Sequence, residues 1–474
     1  MRRTALLLAS AALAVLFISA IYSWAPTGAQ TTAGQPNFVF ILTDDMRKDD
    51  LKYMPKTLDL IGSQGMTFEN AFVSNSLCCP SRATIMRGQY AHNTGVWGNS
   101  DRPDSGWQGY KNHGNEKDNI ATRLHNAGYR TGLFGKYFNT YDLSAVPLGW
   151  DDWFATQSGG GVFNFYVNDN GTKKYFPKSN SNYVTDVLSR ETQAFIGDSV
   201  GAGKPFFAYV APKPPHEPAT PAPRHVNTFN GVKAPRLPSF NESDVRDKPP
   251  SIRSLSLLSS TQIAQIDTLH KKRVESLQSV DELVEAVVGK LQNERVLDNT
   301  YVVFTSDNGF HHGEHRIKSG KEKPYEESIR MPLLVRGLVV QAGSTTNELT
   351  LNTDFMPTFL ELGGIAIPSY VDGTSLVPLL NGTVNDNDTV TDDWRTAILL
   401  ELRKTIFGIR TNDGRKYIEY RDGFKEYYDL NADPNELRNL VYYGTVPPTD
   451  LRTRLQALKG CAGATCRTAE DGGP

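Results

Sequence analysis

The chain has 474 residues, of which 39% are hydrophobic and 22% are charged, and its formal net charge is -2. This composition is typical of a globular protein with a sizeable core, and the length predicts one large domain with a smaller one. The near-neutral charge argues against a nucleic-acid partner, which would require a strongly basic surface.

The first 29 residues are typical of an export signal. Arg2 and Arg3 precede an apolar run at residues 5–22, and the small residues at 27–29 offer a cleavage site. Because this run is long for a signal peptide, an uncleaved membrane anchor is the alternative. We therefore predict a secreted or otherwise extracytoplasmic protein.

Short apolar runs then predict strands that are buried on both faces of a mostly parallel sheet. They lie at residues 37–43, 131–134, 205–210, 301–305 and 331–335. Before the fourth run, apolar residues spaced three and four apart from Leu277 to Leu291 predict a helix. Alternating strands and helices indicate an α/β domain, which we place at residues 36–386.

Residues 213–250 are rich in proline and polar residues and show no regular period. An irregular segment of this length predicts a lid or rim of a functional site. A merely exposed loop is the alternative.

The pattern changes after about residue 387. Strand-like runs occur at residues 396–402, 405–411, 415–421 and 424–430, with Asp-Gly turns between the later ones. They predict a small antiparallel sheet, followed by a helix at 447–458, in a C-terminal subdomain at 387–460. In the tail at 461–474, Cys461 and Cys466 predict a small disulfide loop, and two free thiols are the alternative.

Two pairs of oxygen-bearing side chains follow predicted strands. Asp44 and Asp45 follow the first run, and Asp307 and Asn308 follow the fourth. Ligands gather beyond the carboxyl ends of strands in open α/β sheets, so we expect the pairs to converge. Four oxygen ligands favour a hard cation, Ca²⁺ or Mg²⁺, over zinc. A single Asp at a strand end has a simpler alternative role in a turn or helix cap.

Cys78 lies where a helix is predicted to begin. Pro80 is tolerated in the first turn of a helix, and residues 83–86 continue the pattern. Unpaired N–H groups at a helix N-terminus favour an anion, and the guanidinium of Arg82 adds further N–H donors suited to a tetrahedral oxyanion. The pattern therefore predicts an anion site with a nucleophile at its centre, with a buried structural cysteine as the alternative.

These residues carry a family resemblance. The pattern C-x-P-S-R that begins at Cys78 matches the signature of the sulfatases, in which the first Cys is converted to formylglycine. Together with Gly88–Asn93, it resembles the N-acetylglucosamine-6-sulfatases and the extracellular heparan endosulfatases, and the resemblance extends over residues 37–440. It implies an alkaline-phosphatase-like fold with a large, mostly parallel mixed sheet flanked by helices and a smaller C-terminal antiparallel sheet.

The resemblance also implies the site residues. The implied metal ligands are Asp44, Asp45, Cys78, Asp307 and Asn308, and the implied catalytic residues are Cys78, Arg82, Lys136, His216 and Lys321. Many arylsulfatases have a His two residues after the Lys that matches Lys136, whereas Phe138 stands there in this chain. We therefore expect Asn139 to take this polar position and bind substrate, and we expect His311, after the second ligand pair, to contact substrate too.

The implied reaction is the hydrolysis of a sulfuric ester. In the family, hydrated formylglycine attacks sulfur with one hydroxyl and expels sulfate with the second, with Ca²⁺ polarising the ester. The implied partners are a formylglycine-generating enzyme and a sulfated substrate, for which the 6-O-sulfate of N-acetylglucosamine in a glycosaminoglycan is the first expectation. The alternatives are a broad arylsulfatase, a phosphate or phosphonate hydrolase of the same fold, and an inactive sulfated-glycan-binding protein.

Overall fold

The computed structural model describes residues 34–384 and 394–472. The predicted export signal and the predicted domain boundary at residues 386 and 387 lie outside the described residues. Within the described part of the chain, no helix is both long and apolar enough to cross a membrane.

The strands are β1 (Asn37–Thr43), β2 (Met66–Phe68), β3 (Ala71–Phe72), β4 (Arg130–Lys136), β5 (Asp152–Thr156), β6 (Phe165–Asp169), β7 (Thr172–Phe176), β8 (Phe206–Ala211), β9 (Thr300–Ser306), β10 (Leu333–Arg336), β11 (Ser344–Thr346), β12 (Thr350–Leu351), β13 (Ala397–Leu402), β14 (Ile406–Thr411), β15 (Arg415–Tyr420) and β16 (Lys425–Asp429). The α-helices are α1 (Pro55–Thr57), α2 (Cys78–Arg87), α3 (Ala91–Thr94), α4 (Gly106–Asn112), α5 (Ile120–Asn126), α6 (Val184–Gly201), α7 (Pro250–Arg253), α8 (Ser260–Asn293), α9 (Glu326–Ile329), α10 (Phe355–Leu362), α11 (Val377–Leu380), α12 (Thr449–Lys459) and α13 (Ala464–Glu470).

A ten-stranded mixed sheet organises the fold, in the order β11-β2-β10-β9-β1-β8-β4-β5-β6-β7. Its centre, from β9 to β5, is parallel, whereas β10, β6 and β7 run antiparallel to their neighbours. Parallel pairing brings the carboxyl ends of the central strands to one edge of the sheet. The predicted α/β class and mostly parallel sheet are confirmed.

Strand β1 shows why the central runs are uniformly apolar. Phe38, Phe40 and Leu42 pack into one core cluster, and Val39 and Ile41 pack into another on the opposite face. Alternate side chains of a strand point to opposite faces, so the middle of a strand that is covered on both sides is apolar at successive positions.

Helices cover both faces of the sheet. Helix α8 begins with a capping box at Ser259 and lays the predicted stripe from Leu277 to Leu291 against one face, together with α6. On the other face, α2, α5 and α10 contribute to the first cluster.

Strands β13–β16 form the predicted C-terminal antiparallel sheet. Ile398, Leu399 and Leu400 of β13 belong to the same hydrophobic cluster as α2, so this sheet shares the core of the larger one. In the structure, Cys461 and Cys466 are joined by a disulfide.

Candidate active site

The site lies at the carboxyl edge of the parallel strands, where the chain leaves each strand. The residues that converge there are Asp44 and Asp45 after β1, Lys136 at the end of β4, His216 after β8, and Asp307 and Asn308 after β9. Helix α2 brings Cys78 and Arg82 to the same place, and the loop before α9 brings Lys321. The structure thus brings together the metal and catalytic residues expected from the sequence.

Asp45 adopts an unusual backbone conformation for this purpose. Its φ of 68° lies in the left-handed region, which is uncommon for a residue other than glycine. Its N–H donates to Asp307 Oδ1 at 3.0 Å, and its carbonyl accepts from Arg273 Nη2 at 2.5 Å. These bonds offset the local strain and hold the Asp45 carboxylate in the site.

Cys78 is the first residue of α2 and is fully buried. Its Sγ lies 3.4 Å from Asp44 Oδ1, 3.8 Å from Asp45 Oδ1 and 2.7 Å from Lys321 Nζ. Burial raises the pKa of the Cys78 thiol, although Lys136 and Lys321 oppose this effect. Cys78 thus lies at the first position of a helix, where the sequence pattern places it, and carboxylates of Asp44 and Asp45 lie beside it.

Possible metal ligands cluster around Cys78. One ligand atom from each of Asp44, Asp45, Cys78 and His216 lies within 4.8 Å of the others. Asn308 donates from Nδ2 to Asp45 Oδ1 at 2.8 Å, whereas its Oδ1 is buried with no partner among the described residues. A buried oxygen without a donor beside carboxylates suits Ca²⁺ or Mg²⁺.

Positive side chains surround these carboxylates. Arg82 Nε donates to Asp307 Oδ2 at 2.9 Å and its Nη1 donates to the carbonyl of Lys136 at 2.9 Å, while its Nη2 is buried without a partner among the described residues. Lys136 Nζ lies 2.7 Å from Asp44 Oδ2, and Lys321 Nζ contacts Asp45 Oδ1. Arg82 therefore has one donor group available to an oxyanion in the site.

Burial and neighbouring charges together shift the pKa values of the carboxylates and lysines in the site. Burial raises the pKa of Asp44, but Lys136 and His216 outweigh it and hold that pKa well below its usual value. Burial and the neighbouring Asp44 raise the pKa of Asp307. Burial lowers the pKa of Lys136, yet Asp44 brings it above its ordinary value, and Asp45 does the same for Lys321 more strongly. Both lysines therefore remain cationic.

His216 faces this cluster from the irregular segment after β8. Its Nδ1 lies 2.7 Å from the Glu217 carbonyl, which can only accept, so Nδ1 carries the proton of the neutral ring. Its Nε2 lies 3.7 Å from Asp45 Oδ2, and its side chain is 33% exposed. At least this part of the predicted lid or rim therefore reaches the site.

A cavity opens from Lys136 and His216 toward a glycine-rich loop. Its lining residues are Asp44, Lys136, Asn139, Thr156, Gln157, Ser158, Gly159, Gly160, Gly161, Phe165, Val184, Leu188, Ala211, Lys213 and His216. The Asn139 Oδ1 is buried without a partner in the described part of the chain. Asn139 therefore lines the cavity with an oxygen that could accept from a donor placed there.

His311 is placed differently. Its side chain is fully buried, it is not among the lining residues of the cavity, and burial lowers its pKa well below the usual value. Its backbone N–H donates to the Gly320 carbonyl at 2.7 Å. This position argues against the predicted substrate contact and favours support of the backbone next to Lys321.

Sequence reasoning did not identify Arg273 as part of the site. This fully buried arginine donates from Nη2 to the Asp45 carbonyl and from Nη1 to the Pro215 carbonyl at 3.1 Å, so it joins the end of β1 to the segment of His216. A signal was present, because the apolar stripe of α8 continues one turn before Leu277 to Arg273. A charged residue on a buried stripe indicates a buried partner.

Comparison with known proteins agrees with this geometry. The family model described as "Sulfatase" matches residues 36–365. The chain belongs to the sulfatase family. A second model, "N-sulphoglucosamine sulphohydrolase, C-terminal", matches residues 313–459 of this sulfatase.

Named relatives and a solved structure extend the comparison. This sulfatase is 36% identical over 82% of its length to the extracellular sulfatase SULF-1 homolog of Drosophila melanogaster, of which it spans 35%. It is 32% identical to N-acetylglucosamine-6-sulfatase of Homo sapiens, covering 93% of this chain and 87% of the human one. A solved structure of a protein in complex with its substrate D-glucosamine-2-N,6-O-disulfate is 25% identical, with a TM-score of 0.74 over 90% of this chain and 96% of the other. The predicted alkaline-phosphatase-like sulfatase fold is confirmed.

Proposed function

We propose that this protein hydrolyses the sulfate ester of a sulfated sugar, with the 6-O-sulfate of N-acetylglucosamine in a glycosaminoglycan-like substrate as the preferred group. The observation that carries the proposal is the placement of buried Cys78 at the start of α2, in contact with Asp44 and Lys321. The Sγ atom of Cys78 therefore lies beside a carboxylate that would hold a metal cation and beside a lysine that would bind the sulfate anion. In the reaction, water and the ester give the free sugar hydroxyl and inorganic sulfate.

Two groups would complete the site. Asp44, Asp45, Asp307 and Asn308, with the group at position 78, would hold a divalent cation, which supplies charge neutralisation to the ester. Ca²⁺ is the proposed ion, with Mg²⁺ as the alternative. Formylglycine at position 78 would supply an oxygen nucleophile in its hydrated form. A formylglycine-generating enzyme is therefore the proposed maturation partner.

The remaining side chains act on the substrate. Lys136 and Lys321 are cationic and lie beside the Cys78 position, where they bind sulfate oxygens and offset their negative charge. Arg82 Nη2 is buried without a partner among the described residues, so it would be available to an oxygen of the group at position 78. His216 lies on the cavity side with Nε2 free of a carbonyl partner, so in its protonated form it donates a proton to the departing sugar oxygen.

The sugar assignment is supported by the relatives. The human relative is an N-acetylglucosamine-6-sulfatase, and the structural neighbour is titled with a sulfated glucosamine as its substrate. A cavity with Asn139 and backbone groups of a glycine-rich loop suits the hydroxyls of a sugar better than a flat aryl ring. The apolar N-terminal run and the extracellular relatives support export from the cell.

The test is a substrate panel with the enzyme produced together with a formylglycine-generating enzyme. N-acetylglucosamine-6-sulfate, 4-nitrophenyl sulfate and 4-nitrophenyl phosphate are compared by kcat/KM, with released sulfate or phosphate as the readout. We expect the sugar sulfate to be the best substrate and the phosphate the poorest. A preference for the aryl sulfate would overturn the sugar assignment, and a preference for the phosphate would overturn the sulfatase assignment.

A further inference from the structure

Lys213 is a cation in the cavity that the proposed reaction does not use. It follows β8 directly, and its carbonyl accepts from the His216 N–H at 3.1 Å. This turn places both side chains on the same cavity. Lys213 was not among the site residues expected from the sequence, because a lone lysine in a proline-rich segment resembles a solvated surface charge.

The polar contacts of Lys213 are incomplete. Its Nζ donates to the Gly160 carbonyl, on the glycine-rich wall of the cavity. An ammonium group has three N–H donors, and within the described residues no carboxylate lies at ion-pair distance from this one. Donors therefore remain available to a ligand in the cavity.

The electrostatic surroundings also favour an added anion. Lys213 is half-buried, and the apolar side chains of Phe165 and Leu188 line the same cavity. Burial lowers the pKa of Lys213, and repulsion by Lys136 adds to this while Asp44 opposes it. An ammonium that is partly removed from water beside another cation is stabilised by a negative group placed against it.

That negative group differs from the reacting sulfate. The site around Cys78 already holds Arg82, Lys136 and Lys321, whereas Lys213 contacts neither Cys78 nor the carboxylates of the proposed cation site. Its ammonium is fixed instead on the carbonyl of Gly160, where the cavity wall is formed by Gln157–Gly161. This part of the cavity would receive the sugar that carries the ester.

We propose that Lys213 is a specificity-determining residue that binds a second sulfate group on the same sugar whose sulfate ester is hydrolysed. This inference rests on the proposed function and narrows it to disulfated sugars. The charge-assisted hydrogen bonds of an ammonium to a sulfate would give such sugars an advantage over monosulfated ones.

The test compares N-acetylglucosamine-6-sulfate with glucosamine-2-N,6-O-disulfate and glucosamine-3,6-O-disulfate, each assayed for kcat/KM by release of the 6-O-sulfate. For the wild type we expect one disulfated sugar to be preferred by about 10- to 100-fold, the range of a hydrogen bond to a charged group. Lys213→Gln removes the charge and should bring the ratio of kcat/KM for the disulfated sugar to that for the monosulfated sugar close to one. Lys213→Arg should retain most of the preference.

Lys233→Gln is the matched control, because it removes the charge of an exposed loop lysine. It should leave the ratio of the wild type unchanged. A wild type without a preference for either disulfated sugar, or a Lys213→Gln variant that keeps the preference, would overturn the inference. If the wild type cleaved none of the three sugars, the result would instead contradict the proposed function. The two failures are therefore distinct.

Discussion

At the scale of single residues, the chemistry centres on position 78. The Cys78 side chain is enclosed by Asp44, Asp45 and Lys321, so the group at this position meets both the proposed cation and the sulfate. The adjacent Cys79 is equally buried but belongs to the hydrophobic core. Two neighbouring residues of one type therefore have different surroundings and different expected roles.

Cys78→Ser tests this difference. Serine offers one hydroxyl and is not converted to an aldehyde hydrate, so it lacks the second hydroxyl that releases sulfate in the proposed reaction. We expect the variant to bind substrate but to lose about 10³-fold or more in kcat under steady-state conditions. Sulfate release and substrate binding are measured on the same preparation.

Cys79→Ala is the control for this variant and should retain turnover, because the Cys79 side chain packs in the hydrophobic core. Full turnover by Cys78→Ser would contradict the assigned role of position 78.

The residues that follow strand ends were predictable, and those fixed by packing were not. Asp44, Asp45, Asp307 and Asn308 follow strands that are recognisable from sequence, and parallel pairing requires that such positions converge. Lys136, His216 and Lys321 depended on a family resemblance. Arg273 and Lys213 acquire their roles from contacts with distant segments. The stripe of α8 signals that Arg273 is buried but does not identify its partners, and no local pattern marks Lys213. For His311 the resemblance gave no indication that its ring would be buried.

At the scale of elements, strands with a continuous apolar run were predicted well and exposed or short ones were not. β1 has the predicted bounds, and β13–β16 follow the predicted runs closely. β7 was missed because all its residues except the last are exposed, so no apolar pattern marks it. β3 and β12 have two residues each, too few to show a period.

An ion pair between α3 and β13 is among the side-chain contacts that join the C-terminal sheet to the large domain. His92 of α3 lies 2.8 Å from Glu401 Oε2 of β13 through its Nδ1, and its N–H donates to Glu401 Oε1 at 3.2 Å. Although burial lowers the pKa of His92, the hydrogen bond to and negative charge of Glu401 raise it from 6.5 to about 9. The pair links the helix after α2 to the neighbouring sheet.

His92→Gln should therefore destabilise the fold in a pH-dependent manner. A pKa that is higher in the folded state contributes stability that is fully present below pH 6.5 and lost as the pH rises through about 9. We expect the variant to lose about 1–3 kcal/mol of unfolding free energy at pH 6 and much less at pH 10. Urea denaturation at both pH values measures this difference.

Glu401→Gln provides the second arm of a double-mutant cycle. At pH 6 the double variant should lose less unfolding free energy than the two single variants lose in sum. Equal losses from His92→Gln at pH 6 and pH 10 would show that the ion pair does not account for the stability.

At the scale of the whole molecule, the site is assembled from segments that are far apart in the chain. Asp44, Lys136, His216 and Asp307 come from four different strand ends, and α2 contributes Cys78. A cation bound among these segments would connect them, and a ligand that binds only the folded state stabilises it. The sequence predicted the fold class and the convergence of the strand ends but not the cavity, whose wall is formed by loops at 156–161 and 211–216.

Calcium should therefore raise the melting temperature of the metal-free protein. At one hundred times the Kd, binding contributes about 2.7 kcal/mol, which corresponds to a rise of a few degrees in Tm. Differential scanning calorimetry after chelation, with and without Ca²⁺ or Mg²⁺, measures the effect and compares the two ions.

Asp44→Ala should abolish this rise, whereas Asp59→Ala, which alters an exposed acid away from the site, should retain it. An equal rise in both variants would place the cation elsewhere.

The most direct test of the central claim is the mass of the tryptic peptide of residues 57–82 from enzyme that releases sulfate. This peptide contains both Cys78 and Cys79. The account predicts a mass about 18 Da lower than that of the unmodified peptide, with the difference located at Cys78, because a thiol side chain has become an aldehyde. An active enzyme whose Cys78 is an unmodified thiol would contradict the account.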